Sequence, residues 1–447
     1  MTAATELADH FTAMDARSLP VDHVSQTQRL VLDYLGVALA GSRTDSGRLV
    51  ADFAVETGGA EQATLLGRRE RVPAVHAAFA NAVAEHSIEL DDVDELALFH
   101  YGPPVVSAAL AVAQWQRSSG ADLLAATLAG CEMMARLSRA TNPALRDRGF
   151  HTTPTCGVFG AAVAAGRLLG LTAPQLTSAL GLAGAQASGL MEMYGPSMQK
   201  RINPGPAARN GVTAAVLAGK GYTGADTIFE GERGFGAAFS GHLDSDELLG
   251  GLGSTIPVVV EHKAYSAARP IHNAIDGALE LRPQIGALTD VASVVVHRHP
   301  DWADYHVNTR PTTYHEAQVS LPYSVAVALI FGAALPEQYS EEHLRDERVT
   351  ALTRSVTIEK DASLPRGVSC RTVITLVDGT TLTSQVDDPK GSVGNPLTQA
   401  ELTAKFRLLS GPVISSDRAT AVIETVQDLA SQEDVNSLVA LLEPDQS

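Results

Sequence analysis

The feature that most constrains this chain is a change in hydrophobic period near residue 260. Before it, apolar residues recur at helical spacing in segment after segment, and alternating patterns are scarce. Thr27–Ala40 reads as a helix that stops at Gly41-Ser42. Val72–Leu90 has the same pattern with small residues on its packing face. Cys156–Leu169 is rich in Ala and Gly and stops at Gly170. The next helix opens at Thr172-Ala-Pro-Gln175, a capping box with Pro inside the first turn. Beyond residue 260, Val291–His297 and Val349–Ile358 are rich in β-branched residues and read as strands. Thr372–Gln385 reads as a hairpin turning at Asp378-Gly379. Helical stretches Ile271–Leu281 and Pro322–Gly332 lie among these strands, and helical patterning returns at a second capping box, Thr398-Gln-Ala-Glu401. The expected architecture is a mainly α large domain, a helical bundle built from residues 1–260 and 395–447. A smaller α+β domain, residues 261–394, is inserted into it.

A chain of 447 residues with 45% hydrophobic residues has the length and composition to build such a core. Lys and Arg number 33 against 51 Asp and Glu, a formal charge of −18. That balance argues against a broad nucleic-acid surface but leaves room for a local positive pocket that takes an anionic substrate. Cys131, Cys156 and Cys370 are far apart, with no CxxC spacing, so neither a disulfide framework nor a structural zinc is expected. The first ten residues carry no signal-peptide pattern, and no apolar run reaches the roughly 20 residues of a membrane span. A cytoplasmic protein with no membrane partner is the expectation. P-loop, dinucleotide-fingerprint and GxSxG patterns are missing, so the chain is expected to act through its own side chains, without a cofactor.

Five segments carry chemistry. Glu89-Leu-Asp91-Asp92 at a helix end, followed by His100, groups carboxylates with an imidazole; it suits a tuned general base or a solvated helix end. His151-Thr-Thr-Pro-Thr-Cys156 places an imidazole and hydroxyls at a helix start, where an anion can bind or a His can simply pack. Lys200-Arg201-Ile-Asn203-Pro-Gly205 sets two cations among turn formers, suited to carboxylate binding or to surface pairing. Lys263-Ala-Tyr265-Ser-Ala-Ala268-Arg269 falls at the expected domain junction, where ligand clefts commonly lie. Ser320-Leu-Pro-Tyr323 opens a helix with a phenol that is either an acid or a structural donor. His297-Arg-His299 is read as a strand edge rather than a metal site, because no third ligand is clustered with it.

In this order, these segments resemble the MmgE/PrpD family over nearly the whole chain. Leu32–Gly41, Gly157-Val-Phe-Gly-Ala161 and Asp388-Pro-Lys-Gly391…Asn395-Pro-Leu397 add to the likeness. The resemblance implies a large helical domain with a smaller α+β domain, commonly a homodimer. It implies chemistry at an acidic carbon flanked by carboxylates: dehydration of 2-methylcitrate-like hydroxyacids, decarboxylation of cis-aconitate, or epimerisation of iminodisuccinate. It carries over His100, His151, Lys200 and Tyr323 as catalytic candidates. Lys263 comes over as a site residue. Glu89, Asp92, Arg201 and Arg269 are further substrate-binding candidates from their own chemistry, and no metal ligand is expected.

This chain also departs from the family pattern. The lyases usually read Asp-x-Asp-Asp-Thr where Glu89-Leu-Asp91-Asp92-Val93 stands here. The decarboxylase branch has His at the position of Ala268, and the usual His of the Lys loop is Asn203. The loop from Val93 to His100 reads one residue longer than in that branch. Fewer proton donors favour epimerisation of a small polycarboxylate, which needs only one group to remove a proton and one to return it. A 2-methylcitrate-dehydratase-like hydro-lyase stands second, and a non-catalytic helical scaffold third.

Overall fold

The computed structural model describes residues 1–97 and 99–445. Its first part is a stack of helices with small contact residues. Helix α1 (Ala3–Ala13) is followed by α2 (Val21–Gly41), α3 (Asp45–Thr57), the two-residue strands β1 (Ala63–Thr64) and β2 (Arg71–Val72), α4 (Ala74–Glu85) and α5 (Ser107–Gln116). Then come α6 (Gly120–Thr141), the short α7 (Ala144–Asp147), α8 (Thr152–Leu168), α9 (Ala173–Gly184), the short α10 (Gln199–Ile202) and α11 (Pro204–Gly219). Helices α6 and α8 cross at Gly130 and Gly160. A Cβ on either glycine would lie 2.6 Å from the other's carbonyl oxygen, so this approach demands glycine. The Thr172–Gln175 capping box forms as expected, as does the one at Thr398–Glu401.

Two large hydrophobic cores organise the chain. One gathers buried residues from Ala3 to Val258 together with Leu397 to Leu442; the other spans Ala267 to Ile374. The C-terminal helices α15 (Gln399–Ser410) and α16 (Ser416–Gln427) therefore pack with the N-terminal helices, α15 lying along α2. Lys405 on α15 pairs with buried Asp33 of α2 at 2.6 Å and donates to the Leu90 carbonyl at 2.8 Å.

The second core lies under a four-stranded sheet ordered β6-β5-β7-β8, where β5 is Val291–Arg298, β6 Val356–Lys360, β7 Cys370–Leu376 and β8 Thr381–Val386. Strands β5 and β6 are parallel; β5–β7 and β7–β8 are antiparallel, and the last pair is the expected hairpin. Helices α12 (His272–Leu281) and α13 (Leu321–Phe331) bury Val294, Val296, Thr372 and Ile374. The expected strand Val349–Ile358 is corrected: Val349–Ser355 belongs to the helix α14 (Glu347–Ser355), and only Val356–Ile358 is strand. Asp346 caps this helix, and Val349 and Thr353, four apart, form its buried stripe. His297 and His299 end β5, which is an interior strand and not an edge; His299 caps the turn that follows. Among the described residues, no helix is long and apolar enough to cross a membrane. All three cysteines are buried thiols.

Candidate active site

A two-residue ribbon joins the first and fourth motifs. Strand β3 (Asp92–Val93) pairs antiparallel with β4 (Glu261–His262), Asp92 opposite His262 and Val93 opposite Glu261. Lys263 follows directly, beside the carboxylates that precede β3. Its Nζ donates to Asp91 Oδ1 at 3.0 Å and to Glu89 Oε2 at 3.3 Å. Glu89 also receives Lys200 and Arg201 on Oε1. Four of the sequence candidates (Glu89, Lys200, Arg201 and Lys263) thus form one buried ion cluster. Burial alone would raise the Glu89 pKa, but Lys200, Lys263 and Arg201 hold it well below the ordinary carboxylate range. Burial also lowers Lys200, to about 8, although Glu89 opposes the shift.

Three imidazoles border the cluster, and their hydrogen-bond partners assign their tautomers. The Asp92 carbonyl accepts from His100 Nδ1. A carbonyl oxygen has no proton to give, so Nδ1 carries the hydrogen and Nε2 keeps its lone pair. Asp91 Oδ2 lies 3.3 Å from the same Nδ1. His151 has the opposite arrangement. Asn203 Nδ2 lies 3.1 Å from His151 Nδ1 and also donates to the Leu190 carbonyl. His151 Nδ1 is therefore the acceptor, and Nε2 bears the hydrogen. The third imidazole, His86, was missed in the sequence. Its Nδ1 donates to Asp91 Oδ2 at 2.6 Å, and its Nε2 lies 3.4 Å from Lys200 Nζ, which has only protons to offer. The only signal for it was its place three residues before Glu89, inside a run read as ordinary helix. Burial is the main cause that lowers His86 to about 4 and His100 to about 3 and takes His151 well below its usual value. All three are neutral near pH 7.

His100, His151, Lys200, Lys263, Glu89 and Arg269 line a cavity of about 280 Å³ between the two cores. The second core's side supplies Trp302 and His306. Arg298, buried in the sheet, holds that segment by donating to the carbonyls of Trp302, Tyr305 and Pro270. Val93 and Ala268, the two departures from the family pattern, both lie on the cavity wall. The loop they help frame includes Leu98, which lies outside the described residues.

Three candidates do other work. Tyr323 is corrected: it belongs to the second core, packs on Tyr339 and donates to the Gln338 carbonyl at 2.8 Å, with no place on the cavity wall. Asp92 does not face the cavity either. Its carboxylate accepts from the amides of Tyr101 (2.8 Å) and Gly102 (2.7 Å) and so pins the loop carrying His100; burial raises its pKa to about 7. Arg269 lines the cavity, but its charge is met by Glu261 and Glu95, each at 2.9 Å. Thr153, from the helix-start motif, accepts from the His100 amide and so anchors the backbone at His100.

Among the described residues, one group has metal-ligand spacing: donor atoms of His86, Asp91 and His100 lie within 4.8 Å of one another. His86 is already hydrogen-bonded to Asp91, His100 Nδ1 is taken by the Asp92 carbonyl, and the ammonium groups of Lys200 and Lys263 press against the group. Two positive charges at contact disfavour a divalent cation, and the group is better matched to holding protons.

The fold and site define a class: a helical enzyme scaffold with an α+β insertion and a cavity of neutral imidazoles beside ammonium and guanidinium groups. The MmgE/PrpD N-terminal domain model matches residues 5–247 and the MmgE/PrpD C-terminal domain model residues 265–430, and the chain belongs to this family. The second model runs through α15, so it follows chain order, whereas the hydrophobic cores follow packing. The chain is 30% identical to cis-aconitate decarboxylase of Mus musculus over 448 residues, covering 95% of this chain and 91% of the relative. It is 28% identical to cis-aconitate decarboxylase of Aspergillus terreus over 455 residues, covering 95% and 92%. A 2-methylcitrate dehydratase-like protein of Aspergillus oryzae is 35% identical over 117 residues, 24% of each chain.

Proposed function

We propose that this protein is a cofactor-independent lyase that makes or breaks a bond to hydrogen at a carbon next to a carboxylate of a small polycarboxylate. The observation that carries this reading is the opposed pair of tautomers on one cavity wall. His100 offers a lone pair on Nε2, and His151 offers an N–H. Lys200 adds an ammonium whose lowered pKa eases proton release near neutral pH. In a dehydration, His100 takes the Cα proton, the electron pair moves into the carboxylate as an enediolate, and Lys200 protonates the departing hydroxyl while the neutral His151 N–H donates a hydrogen bond to it. In a decarboxylation, the carbon that loses CO₂ receives the proton. The cationic cluster stabilises the anionic intermediate in either case. An arriving polyanion adds negative charge beside His100 and raises its pKa from the resting value, so the base strengthens when substrate is bound.

The full-length relatives favour a lyase over the epimerase ordering expected from the sequence. Epimerisation remains the second reading, favoured by Val93 and Ala268, which place apolar groups on the cavity wall where the family's lyases usually carry a hydroxyl and its decarboxylase branch an imidazole. The experiment is NMR in D₂O with cis-aconitate, 2-methylcitrate, citrate and iminodisuccinate, each separately. A new alkene or released CO₂ supports the lyase. Deuterium at Cα with inversion and no alkene replaces it with the epimerase. No reaction and no exchange with any of these substrates counts against both.

A further inference from the structure

Among the described residues, the ion pairs around the cavity leave one cation over. Lys200, Arg201 and Lys263 are met by Glu89 and Asp91, and Arg269 by Glu261 and Glu95. These charges hold the site together, and most of their hydrogen-bonding positions are already taken by protein partners. Arg146 differs. It lines the same cavity, is half-buried, and its side chain has no hydrogen bond or ion pair among the described residues. It sits on α7, the short helical turn between α6 and the His151 cap, and its charge is among those felt by His151 and Tyr194.

We propose that Arg146 is the residue that binds a substrate carboxylate directly, and that the site recognises its polyanionic substrate through this unpaired guanidinium rather than through Arg201 or Arg269. The inference rests on the polycarboxylate reading given above. A guanidinium is always charged and presents a planar fork that matches a carboxylate with two parallel N–H···O bonds. Left half-buried without a partner, it is an incomplete pair that an anionic ligand completes. Its approach to the imidazoles places that carboxylate beside the proton-transfer groups, so the anchor fixes which carbon faces His100. Arg146 stands apart from the motifs that mark the site in the sequence, three residues before Gly149-Phe-His151, where it reads as one of several surface arginines.

Tricarballylate, a tricarboxylate with no hydroxyl and no alkene, separates binding from chemistry. Its affinity is measured by calorimetry for the wild type, Arg146→Gln and Arg146→Lys, with thermal melting to show that each is folded. Arg146→Gln is expected to weaken binding by roughly 10- to 100-fold, the range for a charge-assisted hydrogen-bonded pair, and Arg146→Lys to restore part of it. Equal affinity of wild type and Arg146→Gln overturns the proposal while leaving the polycarboxylate reading standing. Failure of the folded wild type to bind tricarballylate overturns the polycarboxylate reading, and the anchor with it.

Discussion

Glu89 takes a backbone conformation that non-glycine residues rarely adopt, with φ 53° and ψ 31°. Such a residue costs on the order of 1 kcal/mol or more, and it persists because its side chain is held by three cations. Two of the groups on Glu89 and Asp91 then set the chemistry of Lys200. Glu89 Oε1 and His86 Nε2 take two of its three N–H positions, leaving the third for the cavity that Lys200 lines. If Lys200 works as an ammonium, kcat falls as pH rises through about 8, and this alkaline limb disappears in Lys200→Ala. His86→Leu removes an acceptor that favours the charged form, so the limb moves to lower pH. His86→Gln, whose amide oxygen can accept in the same place, keeps the limb near its wild-type position. A pH profile of kcat for the three variants reads this out, and a limb unmoved in His86→Leu removes His86 from the tuning of Lys200.

At the scale of elements, the late Asp388–Leu397 motif has a physical explanation. Gly391 has φ 92°, and its carbonyl accepts from the His262 amide at 3.1 Å. A Cβ there would lie 2.0 Å from the His262 carbonyl oxygen. The loop therefore clamps β4 and sets the position of Lys263. Gly391→Ala is expected to lower stability by about 2 kcal/mol or more, because both the dihedral and the contact oppose a side chain. It should also lower activity more than the loss of folded protein explains; denaturant melts and active-site titration check both, and wild-type stability contradicts the clamp. The same scale shows what the sequence could convey. Capping boxes, the Asp378-Gly379 hairpin and the helical period are local signals, and they were legible. Helix α14 was not, because β-branched Val349, Thr350 and Thr353 mimic a strand until the Asp346 cap and the four-residue stripe are weighed. Tyr323 was misplaced because a helix-start motif cannot say which way the ring points. His86 was invisible because its contact with Lys200 spans 114 residues, and Arg146 because nothing in its local pattern sets it apart from other surface arginines.

Across the whole molecule, the cavity lies between two cores that contribute unequally. The helical core brings His86, His100, His151 and Lys200 together from separate helices and loops, while the sheet side, fixed by Arg298, supplies Trp302 and His306. The β3–β4 ribbon and the Lys405 contact to Leu90 tie the first motif to chain segments far away in sequence. The central claim is a division of labour: His100 removes a proton, and Lys200 supplies one while the neutral His151 N–H hydrogen-bonds the reacting group. The direct measurement is exchange of Cα hydrogen for deuterium in D₂O, followed by NMR on whichever polycarboxylate the wild type turns over. His100→Asn keeps a donor for the Asp92 carbonyl but has no lone pair in place of Nε2. It is expected to lose exchange and turnover together, by about 100-fold or more. Lys200→Ala is expected to retain exchange while losing most turnover. Undiminished exchange in folded His100→Asn, or loss of exchange only in Lys200→Ala, would contradict the assignment.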